Sequence, residues 1–169
     1  FEGKTTGAPL LIAIENTNTR SVDYEKLKFT PRPGHADFVA AMKFGGFQDY
    51  RGGGHFSGRL TAPLVAAGVV AKKLLNSVSI KAEIKEVGGS GDIEAAVDAA
   101  IREGDSVGGI VECVISGLPS GLGEPFFDSF ESTLSHAVFS IPAIKAIEFG
   151  AGFSAARLKG SVFNDDIVS

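Results

Sequence analysis

The chain has 169 residues, 44% of them hydrophobic and 21% charged, with a formal net charge of -4. That length fits one domain of about 100–200 residues with enough apolar material for a core, and the acidic balance argues against nucleic acid or an anionic membrane as the main partner. A single cysteine, Cys113, excludes an intramolecular disulfide, and a reducing cytoplasmic compartment suits it.

The longest weakly polar run, Ala62 to Ala71, is about half of the roughly 20 residues a membrane span needs. No signal peptide is visible. The chain opens on Phe1 rather than Met, which points to a fragment.

Taken in order, Gly7 to Glu15 (GAPLLIAIE) reads as a buried strand. From Asn16 to Arg59 the chain is rich in Gly, Pro, Asn and Arg and has little periodicity. A structureless stretch of that length is usually either functional or disordered. Disorder predicts few aromatics, yet Tyr24, Phe29, Phe38, Phe44, Phe47, Tyr50 and Phe56 stand here. A functional loop is therefore expected, with residues 18–58 poorly ordered in the absence of a ligand.

Thr61 to Leu75 has helical spacing of Leu64, Ala67, Gly68, Ala71, Leu74 and Leu75. Thr61 can cap this helix, and Pro63 is tolerated in its first turn. Val78 to Val87 alternates apolar and charged residues, the pattern of a half-buried strand. Gly88-Gly89-Ser90-Gly91 is a turn. Asp92 to Glu103 reads as an amphipathic helix, with Ile93, Val97, Ala100 and Ile101 inward and Gly104 as its stop.

Gly108 to Ser116 is an apolar strand, in which Cys113 is expected as a buried, inert thiol. Ser116 to Pro125 is a loop. Asp128 to Phe139 reads as a helix, with Asp128 and Glu131 spaced as a capping box and Phe127, Phe130, Leu134 and Val138 as its apolar face. Ala143 to Phe149 and Phe153 to Leu158 are expected as two short strands joined at Gly150-Ala151-Gly152. The fold class is α+β, one domain over 1–169 with strands and helices layered together.

Three histidines could carry chemistry. His35 lies in Arg32-Pro33-Gly34-His35-Ala36-Asp37, where proline stiffens the backbone and glycine permits a tight turn. Imidazole suits proton transfer near neutral pH, and Asp37 is placed to orient it; an inert surface turn is the competing reading. His55 follows Arg51-Gly52-Gly53-Gly54. Glycines before a helix let backbone N–H groups approach an anion, and Arg51 and Arg59 flank the run. It is neither a P-loop nor a dinucleotide fingerprint. His136 reads as structural, and no His, Cys, Asp and Glu set has metal spacing.

In combination the motifs are specific. Arg32 to Asp37 (RPGHAD), Lys43-Phe44-Gly45, Asp49-Tyr50-Arg51-Gly52-Gly53-Gly54, Ser57-Gly58-Arg59 with Thr61, Ala66-Ala67-Gly68 and Ala71-Lys72-Lys73 resemble chorismate synthase in order and spacing. Gly121 to Pro125, Ser140 to Lys145 and Gly152 to Ser161, with Asn164-Asp165, continue the resemblance over essentially the whole chain.

The resemblance implies a layered β-α-β sandwich core and loss of phosphate and a proton from 5-enolpyruvylshikimate 3-phosphate, with reduced FMN as cofactor. It implies that His35 is catalytic, protonating the reduced flavin, and that Arg32 and Arg59 bind substrate. Flavin contacts map onto His55, Phe56 and Ser57, where the family often has Arg-Ser-Ser, and onto Pro142 and Ala143, where it often has Asn-Ala. It implies a homotetramer, and leaves open whether the enzyme reduces its own flavin, with NADP, or relies on a separate flavin reductase.

The family's Gly-Glu-Ser-His-Gly segment with the second catalytic histidine, its C-terminal flavin loops and its catalytic aspartate are not in this sequence. The chain alone is therefore expected to be close to inactive. Two other readings stay open: a non-catalytic structural core with weak anion or flavin binding, and an unrelated anion-binding module resting on the glycine run.

Overall fold

The computed structural model describes residues 2–167. The chain divides into two compact units. One holds the chain up to Ile12 with Pro63–Ser120; the other holds Ala13–Ala62 with the chain from Gly121 onward. The architecture is mixed, with helices and a two-stranded antiparallel sheet.

In the first unit, strands β1 (Ser79–Val87) and β2 (Gly109–Ser116) pair antiparallel, with Ala82 opposite Cys113 and Glu83 opposite Glu112. The register shifts between Ile84 and Glu86. Helix α3 (Ile93–Glu103) joins them and packs on β1. Its ends follow the sequence closely. The Asp92 side chain accepts from Ala95 N–H at 3.1 Å, and Gly104 takes the left-handed conformation (φ 67) that closes the last turn. Of the expected inward face, Ile93 and Ala100 are half-buried, whereas Val97 and Ile101 are exposed.

Helix α1 (Asp37–Lys43) lies in the second unit, inside the stretch read as a loop. Short 3-10 turns at Ser21–Tyr24, Lys26–Lys28 and Arg51–Phe56 fill much of the rest. Helix α2 (Thr61–Leu74) starts where expected with Pro63 in its first turn. Thr61 is not its acceptor cap: Thr61 Oγ1 donates to the Gly58 carbonyl at 2.7 Å, and Ser57 Oγ accepts from Arg59 N–H. Helix α4 (Phe130–Phe139) is capped by Ser129, which accepts from Ser132 N–H, rather than by Asp128. Phe130, Leu134 and Val138 are half-buried on it, but Phe127 is 90% exposed. Helix α5 (Gly160–Phe163) is a single turn.

Three expected strands are absent among the described residues. Residues 9–20 form no ladder, and Leu10, Leu11 and Ile14 are exposed. Residues 144–149 are irregular, and Gly152–Arg157 is a 3-10 helix, entered through the Gly152 N–H to Phe149 carbonyl bond. Apolar composition makes a strand only where a neighbour supplies backbone partners. Cys113 is exposed rather than buried, because β2 has only β1 beside it in the sheet.

The core is correspondingly thin. Among the described residues, Ala40 and Val87 are the buried hydrophobics, while Leu11, Phe47, Phe126 and Phe127 are 87–93% exposed. The accessible surface is 14494 Å² for 17.5 kDa. A compact monomer of that mass exposes about 7,900 Å², and two separate units of half the mass expose about 9,500 Å². The apolar faces here are shaped for cover that these residues do not supply. No helix among the described residues is long and apolar enough to cross a membrane.

The 169-residue chain purified by itself should therefore bind a hydrophobic dye strongly and self-associate, as read by ANS fluorescence and light scattering. A dye-silent monomer with one sharp unfolding transition would contradict this.

Candidate functional site

The turn before α1 gathers three charged side chains. Pro31 and Pro33 bracket Arg32, and His35 N–H closes the turn onto the Arg32 carbonyl at 3.3 Å. Proline supplies a fixed φ here at no cost in donors, since the bond-forming N–H belongs to His35.

Asp37 organises the group. Its Oδ2 accepts from Arg32 N–H at 3.1 Å and from Arg32 Nε at 2.8 Å, and its Oδ1 accepts from Arg32 Nη2 at 3.0 Å. The same Oδ1 lies 2.7 Å from His35 Nδ1. The carboxylate is only 14% exposed. Hydrogen bonds from the Arg32 guanidinium hold its pKa down, from the ordinary 3.8 to about 2, against the opposing effect of burial. The same bonds raise Arg32.

Arg32 Nη2 is 3.2 Å from His35 Nδ1 and 3.3 Å from Nε2. An atom nearly equidistant from both ring nitrogens cannot lie in the ring plane without striking Cε1, so the guanidinium covers the ring face. Nδ1 is engaged by Asp37, which leaves Nε2 as the nitrogen that can exchange a proton with a ligand. Tyr24 stacks on Arg32, its ring centroid 5.9 Å from the guanidinium carbon.

The glycine run makes this packing possible. Gly52, Gly53 and Gly54 all have positive φ (62, 80 and 53), a region costly for any other residue. Gly53 is buried; a Cβ on it would lie 3.5 Å from His35 Nε2 and 3.6 Å from Arg32 Nη2. A Cβ on Gly54 would drive into the Asp49 carbonyl. A Cβ on Gly52 would lie 2.6 Å from Arg59 Nη1, where the guanidinium rests with Nη2 donating to the Gly52 carbonyl at 2.6 Å. The run thus works less as a row of amides aimed at an anion than as a flat bed for Arg32, His35 and Arg59. Arg51 is committed elsewhere, in a fork onto Asp49 with Nε and Nη2 at 2.8 and 2.9 Å. That pairing holds the exposed Asp49 carboxyl at about 2.

Arg32, His35 and Asp37 are thus brought together, with Arg59 on the adjacent glycine. His55 and Phe56 end the 3-10 turn Arg51–Phe56 with exposed side chains, and Ser57 follows, half-buried. Pro142 and Ala143 lie far along the chain in the turn after α4. Ala143 holds φ 72, a strained state for alanine. His136 is exposed on α4. Among the described residues no group of His, Cys, Asp and Glu could hold a metal ion. Sequence reasoning passed over Tyr24 as the ring that stacks on Arg32. The signal for it was its place among the aromatics of the non-periodic stretch that leads into the Arg32 turn.

A family model described as chorismate synthase matches residues 1–169. A chorismate synthase of Chitinophaga pinensis is 69% identical over 169 residues, which are 99% of this chain and 51% of that protein. One of Dehalococcoides mccartyi is 45% identical over 194 residues, covering 98% and 53%, and one of Thermococcus kodakarensis is 44% identical over 193 residues, covering 99% and 54%. The chain spans about half the length of these relatives. The last two alignments are longer than the chain itself, so they open gaps in it.

The Asp37 geometry carries a pH signature. Its folded pKa lies below its unfolded value, so the stability it contributes is full above about pH 4 and is lost as pH falls through about 2. A carboxyl-detected NMR titration should find Asp37 ionising near 2, and Asp37→Asn should remove that acid-dependent part of the stability curve. An Asp37 midpoint near the ordinary 3.8 would contradict the arrangement.

Proposed function

The chain belongs to the chorismate synthase family, and from that premise we propose that the protein containing it eliminates phosphate from 5-enolpyruvylshikimate 3-phosphate to form chorismate. In the net reaction the C–O bond to phosphate breaks, a ring proton is lost, and a C=C bond forms. The observation that carries the reading is the packing of Arg32, His35 and Asp37 on Gly53 with Arg59 beside them on Gly52.

The substrate carries a phosphate and carboxylates. Arg32 and Arg59 suit these groups, because a guanidinium offers several N–H donors to an oxyanion; Arg32 offers its Nη1 side, its Nε and Nη2 edge being on Asp37. Arg32 is pre-set by Asp37, so little side-chain freedom is lost on binding. Arg59 is held from one side only, through Nη2 on the Gly52 carbonyl, and keeps its other N–H groups for a ligand. His35 holds the mobile proton at Nε2, with Asp37 fixing the ring through Nδ1.

The chain's residues fit reduced FMN in part. His55 and Ser57 supply donors and Phe56, 40% exposed, an apolar face; Pro142 has no N–H and contributes only its carbonyl. The chemistry reduced FMN would supply here is transient electron donation. In this reading His55, Phe56, Ser57, Pro142 and Ala143 line one edge of its pocket, and His35 holds its proton toward that edge. The remaining wall comes from the half of the protein outside this chain. The same reading gives the whole protein a layered β-α-β sandwich core and a cytoplasmic homotetramer.

The exposed apolar surface favours a subordinate statement: the 169-residue chain alone is a structural core without turnover, since the groups of a catalytic site act only together.

Full-length protein with reduced FMN should release phosphate from 5-enolpyruvylshikimate 3-phosphate. His35→Ala should lower kcat by about 10²–10⁴-fold with KM little changed, whereas Arg59→Lys should raise KM. No phosphate release by the full-length protein would overturn the reading, and wild-type kcat in His35→Ala would remove His35 from the chemistry.

A further inference from the structure

Ahead of the Arg32 turn the chain makes two consecutive 3-10 turns, Ser21–Tyr24 and Lys26–Lys28, with Glu25 between them in the same right-handed conformation (φ -58, ψ -39). Three residues complete a 3-10 turn, so side chains three apart stand one above the other. Tyr24 and Leu27 form one such row and are half-buried, the inner edge of a strap. Glu25 and Lys28 form the next row, and both reach Tyr50. The Tyr50 hydroxyl donates to Glu25 Oε1 at 3.1 Å, and Lys28 Nζ lies 5.6 Å from the Tyr50 ring centroid.

The two rows touch the two parts of the site. From the inner row, Tyr24 stacks on Arg32. Arg32 is fixed along its Nε and Nη2 edge by Asp37, which leaves its face to Tyr24. Leu27 lines a cavity of about 20 Å³ together with Asp37 and Gly53; that is room for a single water, so the strap lies close against Asp37. From the outer row, Glu25 and Lys28 hold Tyr50. The Tyr50 carbonyl accepts from Gly53 N–H at 3.2 Å, and Gly53 is the residue on which His35 and Arg32 rest.

One bond joins these parts. Among the described residues, Tyr50 to Glu25 is the one side-chain hydrogen bond between residues 21–28 and the rest of the site. It is exposed and spans 25 residues of chain. Such a bond adds little to global stability, but its effect is local: it keeps the strap on the glycine run and thereby keeps Tyr24 on Arg32.

We propose that the Glu25–Tyr50 hydrogen bond is a latch that sets the Arg32 turn against the glycine run, so that Glu25 and Tyr50 are positioning residues for Arg32 and His35. The inference rests on the chorismate synthase reading only for its effect on substrate binding.

Full-length protein is compared with Tyr50→Phe, which deletes the hydroxyl and keeps the ring beside Lys28, with Glu25→Ala, and with the double variant. Hydrogen exchange is followed by mass spectrometry over residues 21–28 and 32–37, together with KM and kcat for 5-enolpyruvylshikimate 3-phosphate. Each single variant should speed exchange in both segments by about threefold to tenfold, the range expected from one lost hydrogen bond, and should raise KM with kcat less affected. The double variant should match the singles, because one bond carries both effects. Glu25→Gln, which keeps an acceptor, should recover most of the loss. Faster exchange confined to 21–28, losses that multiply in the double variant, or an unchanged KM in both single variants of an active protein would overturn the proposal. Exchange needs no turnover, so a wild-type protein without phosphate release defeats the enzymatic reading instead, and the exchange rates still decide the latch.

Discussion

Asp37 is the group on which the rest of the site depends. A largely buried carboxylate receives three hydrogen bonds from Arg32 and faces His35 Nδ1. Those bonds fix a guanidinium and an imidazole within one turn of chain, and neither would hold that position alone: both are on flexible stems, and the helix they precede is only seven residues long. Burying a carboxylate is costly unless its oxygens are bonded; here each oxygen is. The glycine run is the second half of the same device. A side chain on Gly53 would meet His35 and Arg32, and one on Gly52 would displace Arg59.

The two features together give a division of labour. Asp37 takes up Nδ1 of His35 and the Nε and Nη2 edge of Arg32, so what remains for a ligand is His35 Nε2, the Nη1 side of Arg32 and the open N–H groups of Arg59.

Much of this was legible in the sequence, for local reasons. Helix α3 announced both its ends through Asp92 and Gly104, because capping is a contact over three or four residues. The strand at 79–87 showed in its alternation, and the RPGHAD turn placed Asp37 within reach of His35. What failed depends on distant partners. Gly7 to Glu15 and 143–149 have the composition of strands, yet the backbone groups that would pair with them are not supplied by these residues. Cys113 and Phe127 read as buried because they are apolar in apolar runs, and burial is decided by the covering element. The cap of α4 moved from Asp128 to Ser129 because a 3-10 turn at Phe126–Asp128 occupies the chain just before it. The glycine run has the composition of an anion cradle, but nothing in the sequence shows that its positive-φ backbone also makes room for Arg32, His35 and Arg59.

The chain spans about half the length of its relatives, and the proposed function has the remaining length cover the exposed apolar surface and complete the site. The direct test is a calorimetric titration with FMN under reducing conditions, with and without 5-enolpyruvylshikimate 3-phosphate, run on the full-length protein and on the 169-residue chain. The account predicts tight binding to the full-length protein, strengthened by the substrate, and much weaker binding to the chain. Binding to the chain as tight as to the full-length protein, or no binding to either, would contradict it.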